Sequence, residues 1–200
     1  MLKNIFKKLN EKRGYTIIET MIAITLFLVV VVSGTGAILN ANLLSQKSRS
    51  MRSILDNLSF IMDDMSKNLR TGYNYQCFDS TQSLLPSTLG APRSCASGWA
   101  LAFEEAEGNP ASYADQWVYY VSGAGKLYKS TDGASTFVQL SADEIVIDSI
   151  SPFVVAGAEP PPGDTLQPFV TIRLVGHITI KNTTTPFSIQ TSVSQRLIDV

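Results

Sequence analysis

Residues 13–32 read Arg-Gly-Tyr-Thr-Ile-Ile-Glu-Thr-Met-Ile-Ala-Ile-Thr-Leu-Phe-Leu-Val-Val-Val-Val. A cationic head ends at Gly14, and an apolar run follows with one carboxylate, Glu19, near its start. No charged side chain occurs from Thr20 through Gln46. A hydrocarbon core about 30 Å thick needs roughly 20 apolar residues to cross it as a helix, and this run is long enough. A carboxylate inside such a segment is costly, so it reads as a functional group with a partner.

Charge is distributed accordingly. Lys3, Lys7, Lys8, Lys12 and Arg13 stand against Glu11, which makes the first 14 residues about +4 and leaves the remainder near −5 of the chain's net −1. Cations before a membrane helix hold that end in the cytoplasm, so the C-terminal head is expected on the outer side. An acidic head gives no reason to expect nucleic acid as a partner. Cys77 and Cys95 both fall in the exported part. A disulfide between them is predicted there, with a pair of free core thiols as the alternative. The bridge would close a loop of about 19 residues and contribute roughly 3 kcal/mol.

A secretory signal has its small-residue cleavage site beyond the apolar region. Here Val32 is followed by Ser33-Gly34-Thr35-Gly36-Ala37-Ile38, and the small residue precedes the run, at Gly14. Gly14-Tyr15-Thr16-Ile17-Ile18-Glu19 resembles the class III signal of type IV pilin-like proteins. The resemblance implies that a prepilin peptidase cleaves Gly14–Tyr15 and methylates the new amine of Tyr15. Phe is commoner than Tyr at that first position. A plain single-pass anchor with an incidental glutamate is the alternative. Glu19 also has a role on physical grounds, because cleavage creates an α-ammonium at Tyr15, four positions away on one helix face. The carboxylate can meet that amine within one chain, or the amine of a neighbour in a filament; the family uses the second arrangement. The further partners implied are other pilins or pseudopilins, an inner-membrane assembly platform and membrane lipid.

Beyond Ser45 the pattern becomes Ile54, Leu55, Leu58, Ile61, Met62, Met65 and Leu69, with polar residues interleaved. That 3–4 spacing predicts a one-sided amphipathic helix ending at Lys67, Arg70 and Gly72. One helix from about Tyr15 to Arg70 would be roughly 84 Å long. Gly36 is expected to soften it without a proline kink, with simple tolerance of glycine in a membrane helix as the alternative. Gly72 to Asp115 reads as a long loop pinned by the disulfide, with an edge strand at most. From Gln116 the chain reads as β: hairpins at Ser122–Gly125 and Thr131–Gly133, a strand region over Glu144–Val155 broken by Pro152, and an exposed loop at Pro160-Pro161-Pro162. Ile172, Leu174, Gly176, Ile178 and Ile180 alternate with polar neighbours, as do Phe187, Ile189, Thr191, Val193 and Leu197. Two such strands form an antiparallel sheet covered on one side.

Catalytic patterns are weak. His177 is the only histidine and sits on a polar strand face with Arg173, Thr171 and Thr179. Two cysteines and one histidine make no metal-site spacing. Gly123-Ala124-Gly125-Lys126 lacks the earlier glycine and the following hydroxyl of a phosphate loop and reads as a turn. No Gly-x-Ser-x-Gly occurs. Glu104, Glu105 and Glu107 read as a solvated loop face.

The expected fold class is α+β: a long N-terminal helix, membrane-spanning in its first half and amphipathic in its second, packed on an antiparallel β head. The boundaries are 1–14 leader, removed; 15–40 transmembrane and polymerisation half; 41–71 amphipathic half; 72–200 extracytoplasmic head with the disulfide-pinned loop. The resemblance implies a minor pilin or pseudopilin, not an enzyme, with no cofactor, metal or catalytic residue. It would sit in the inner membrane, later in a type IV pilus or a type II secretion pseudopilus. Gln167-Pro168 and Ser194-Gln195-Arg196 loosely resemble J-type pseudopilins and W-type minor pilins. The alternatives are a subunit of a DNA-uptake pseudopilus, which would want a basic stripe, and a pilin-anchored exported binding domain.

Overall fold

The computed structural model describes residues 14–109, 111–160, 162–163, 165–180 and 183–196. The leader cations, Pro161 and Leu197, all discussed above, lie outside these described residues. The first element, α1, runs Ile17–Thr71 without a break. The chain divides into two compact units, Met1–Ser48 and Arg49–Val200, so α1 contributes to both.

In the first unit α1 passes through Ser33–Gly36 as regular helix. Its apolar window has no residue buried against the rest of the chain. Three threonine hydroxyls of this segment bond within the helix. Thr20 Oγ1 donates to the Ile17 carbonyl at 2.8 Å, Thr25 to Ile22 at 2.9 Å and Thr35 to Val31 at 3.0 Å. Hydroxyls that bond back to carbonyls of their own helix are tolerated in hydrocarbon, where no water is present to satisfy them.

In the second unit α1 buries Leu58, Ile61, Met62, Met65 and Leu69, the stripe that the 3–4 spacing predicts. Ten strands follow. They are β1 (Tyr73–Phe78), β2 (Cys95–Gly98), β3 (Ala100–Glu104), β4 (Trp117–Val121), β5 (Leu127–Ser130), β6 (Val138–Gln139), β7 (Ile145–Ile147), β8 (Phe153–Ala156), β9 (Phe169–Ile180) and β10 (Thr183–Ser194). They make two antiparallel sheets, ordered β1-β3-β4-β5-β6 and β10-β9-β8-β2, with β7 also pairing β9. The fold is therefore α+β, a long N-terminal helix followed by antiparallel sheets, as expected from the sequence.

Three details differ from the sequence reading. Strand structure begins at Tyr73, not Gln116, and Gly72–Asp115 holds three strands. β1 hides because Asn74 sits at φ 54° and the ladder shifts register between Tyr73 and Gln76. β3 hides because every one of its residues is buried, which removes the period-2 signal. Glu144–Val155 is two short strands on one edge of β9, separated where Asp148 N and Ser149 N both donate to the Val175 carbonyl. Glu104 is the third difference: it ends β3 at 1 % exposure, whereas Glu107 is exposed.

The main core gathers the helix stripe with side chains of both sheets, among them Tyr75, Leu101, Phe103 and Tyr119 from the first and Phe153, Val170, Ile172 and Leu174 from the second. A second cluster, Phe78, Leu89, Ala100, Ala102, Val118 and Ala134, lies on the other face of the first sheet. That sheet is thus covered on both faces. Asn68 Nδ2 donates to Tyr119 OH at 3.1 Å, and Asp64 pairs with Lys129 at 3.7 Å, which tie the helix to this sheet. Gly72 ends the helix under steric constraint, since a Cβ there would lie 2.5 Å from the Phe103 ring.

Candidate processing and assembly site

Gly14, Tyr15 and Thr16 precede the helix and are exposed, Tyr15 at 80 %. Thr16 begins the helix physically. Its Oγ1 accepts the Glu19 N–H at 3.3 Å, and its carbonyl accepts the Thr20 N–H at 3.2 Å. An N-cap hydroxyl bonded to the third helical residue satisfies one of the four unpaired N–H groups at a helix start. Thr16 and Glu19 stand at the spacing of a capping box, a signal the sequence reading passed over. Glu19 lies in the first turn, where the helix dipole favours negative charge. Its side chain is exposed, and no basic residue follows it in the helix before Lys47. The geometry leaves Gly14 open on all sides, with no atom within 4 Å of where a Cβ would stand. Gly34 and Gly36 are equally open, so nothing among the described residues requires their small size.

In the head, Cys77 and Cys95 are bonded, with Cα atoms 5.6 Å apart. β1 carries the first and β2 the second, so the bridge joins the two sheets. Gly98 makes room for it, because a Cβ there would lie 2.3 Å from Cys77 Sγ. His177 Nδ1 lies 3.0 Å from the Asp148 carboxylate on the outer face of β9. Lys126 Nζ donates to the carbonyls of Asp143 and Ile145 at 2.7 and 2.6 Å, so the ammonium of the Gly-Ala-Gly-Lys turn clamps the chain onto β7. Among the described residues, no three His, Cys, Asp or Glu side chains come together as a metal site. A groove of about 650 Å³ runs between α1 and β10. It is lined by the mixed charges Asp63, Lys67 and Arg70 and by Thr191–Ser194.

Residues 9–35 match the family model described as the prokaryotic N-terminal methylation motif. No curated protein and no solved structure matches the chain. The matched segment spans the leader's end, Gly14, Thr16, Glu19 and the apolar half of α1 that would cross a membrane. The chain carries a type IV pilin-like prepilin signal at the head of its long helix, the mark of a prepilin-peptidase substrate and structural subunit.

Proposed function

We propose that the protein is a minor pilin or pseudopilin, polymerised by a type IV pilus or type II secretion machine. Prepilin peptidase removes residues 1–14 and methylates Tyr15. Residues 15–40 hold the subunit in the inner membrane with its N-terminus cytoplasmic and its head outside. During assembly Glu19 meets the Tyr15 amine of a neighbouring subunit. One observation carries the reading: the motif at 9–35 opens a helix in which Glu19 is the sole charged residue before Lys47. A lone carboxylate kept in a lipid-facing segment implies a cationic partner. The α-ammonium that processing creates supplies one at helical spacing.

Co-expression with a prepilin peptidase, followed by intact-mass spectrometry, tests the processing step. The expected product lacks 14 residues and carries one methyl group on Tyr15. An unprocessed chain, or cleavage beyond Val32, refutes the proposal.

A further inference from the structure

β3 alternates between the two faces of its sheet. Leu101 and Phe103 enter the main core, while Ala100 and Ala102 belong to the cluster behind the sheet. Alternation places Glu104 on the second face, at the end of the strand opposite Tyr73 of β1. Glu104 is 1 % exposed, and no hydrogen bond of ordinary geometry reaches either carboxylate oxygen, the Gln116 amide being its near polar neighbour. Asp115 Oδ1 and Gln116 Nε2 are likewise buried and unpartnered. Buried polar atoms are nearly always bonded, so four orphans in one place need a chemical explanation.

Among the described residues no cationic side chain acts on Glu104. The charged groups acting on Glu104 are the carboxylates of Asp115 and Glu105, and the neutral neighbour is the Gln116 amide. Tyr73, on the adjacent strand, donates its hydroxyl to the Gly108 carbonyl at 3.1 Å. Asp115 Oδ2 already accepts the Asn109 N–H at 3.0 Å. Gln116 Oε1 accepts from Gln76 Nε2 at 3.1 Å, and Gln76 Oε1 in turn accepts the Gly90 N–H at 2.7 Å. A Cβ on Gly108 would lie 2.1 Å from Glu104 Oε1, so the loop backbone closes directly over the carboxylate.

The orphan set balances if one proton is added. A protonated Glu104 donates O–H to Asp115 Oδ1, and its other oxygen accepts from Gln116 Nε2. All four atoms are then bonded, and the pair carries a single negative charge. Two ionised carboxylates sharing a dry site are disfavoured by both desolvation and repulsion. We propose that Glu104 keeps its proton in the folded head and shares it with the Asp115 carboxylate through a hydrogen bond, and that its loss releases the chain at Gly108 from the sheet. Burial, first, and then the Asp115 charge hold the Glu104 carboxyl above its ordinary range, against the opposing pull of the Gln116 amide.

The sign of the effect follows. A carboxyl whose folded pKa exceeds its unfolded one binds the proton more tightly when folded. Its contribution to stability is complete below the unfolded value near 4.5 and is lost as pH rises through the folded value. On the proposed reading, which places the head outside the cell, the loop senses the pH there.

The test compares the full chain in detergent with Glu104→Gln and Asp115→Asn, melted across pH 4.5 to 8 in EDTA and in millimolar calcium. Relative to Glu104→Gln, wild type should lose about 3–5 °C of melting temperature per pH unit while the shared proton is leaving. Hydrogen exchange of the 105–115 peptide should rise over the same range in wild type alone. Infrared spectra of wild type should show the carbonyl stretch of a protonated carboxyl, which is absent from Glu104→Gln. The infrared band and its loss with pH can be read on wild type even if a variant fails to fold. Parallel melting curves, or no protonated-carboxyl band in wild type, overturn the proposal. So does calcium stabilising wild type while leaving Glu104→Gln unmoved, which would make the cluster a cation site.

Discussion

Breaking the Cys77–Cys95 bridge tests how the two sheets are held together. Cys77 is fully buried in β1 of the first sheet, and Cys95 opens β2, which belongs to the second. The bond spans 18 positions and encloses the turn Pro86–Thr88 and Leu89, which helps to cover the outer face of the first sheet. Loop-closure entropy for a loop of that size is worth about 3 kcal/mol in the unfolded state. Cys77→Ala with Cys95→Ala also leaves a small void at the buried position, of order 1 kcal/mol. For a unit of this size each kcal/mol corresponds to about 2–4 °C, so the double variant should melt roughly 8–16 °C lower. The assay is circular dichroism of the detergent-solubilised chain, with wild type in reductant as a second route to the open loop. Reductant alone leaves no void and should lower the midpoint by about 6–12 °C. Non-reducing peptide mapping establishes that wild type is bonded at the start. If bonded wild type, reduced wild type and the double variant melt within about 2 °C of one another, the bridge does not staple the sheets and the reasoning fails.

Glu19→Ala should leave insertion and processing intact, because removing a charge eases burial in lipid. Its incorporation into sheared filaments should drop about tenfold or more, given roughly 1.5–3 kcal/mol for a charge-assisted contact, with Glu19→Asp intermediate. Equal incorporation of the Ala variant and wild type would remove Glu19 from assembly. Asp132 behaves oppositely to Glu104. Its carboxylate accepts from Thr136 Oγ1, Thr136 N–H and Ser130 Oγ, which hold its pKa down to about 2. Its stabilisation is therefore present above the unfolded value of 3.8 and fades as pH falls toward 2. Acid titrations of wild type and Asp132→Asn should diverge above that window and converge below it.

Legibility followed the period of the apolar residues. α1 was readable because its first half is uniformly apolar and its second half places Leu58, Ile61, Met62, Met65 and Leu69 on one stripe. β9 was readable for the same reason: Val170, Ile172, Leu174, Gly176 and Ile178 are buried and their neighbours are not. β3 was not, because Leu84, Leu89 and Phe137, far away in sequence, cover the face that would otherwise carry its polar residues. The burial of Glu104 belongs to the same cause. A glutamate after four apolar residues reads as the beginning of a loop, and only the tertiary cover over the sheet puts it inside. At the N-terminus, the Gly14–Glu19 motif was legible, while the role of Thr16 as helix cap needed the bond from Glu19 N–H to be seen.

The two units of α1 answer to different solvents, and their residues divide accordingly. From Ile17 to Gln46 the side chains are mostly apolar, the hydroxyls of Thr20, Thr25 and Thr35 bond to their own helix, and the apolar window buries nothing against the rest of the chain. Its stability depends on backbone bonds that hydrocarbon would strengthen and on a cap, Thr16, at the end where the unpaired N–H groups lie. Beyond Arg49 the reverse holds. Leu58, Met65 and Leu69 are wholly buried, and the helix is held by the sheets it covers. A change in the first unit is therefore expected to alter what the subunit associates with, and a change in the buried stripe to alter whether the head folds. Glu19 is the one charged residue of the helix before Lys47. Among the described residues it has no cationic partner, and lipid offers none. A charge so placed is stable only where another chain, or the amine released by processing, completes it.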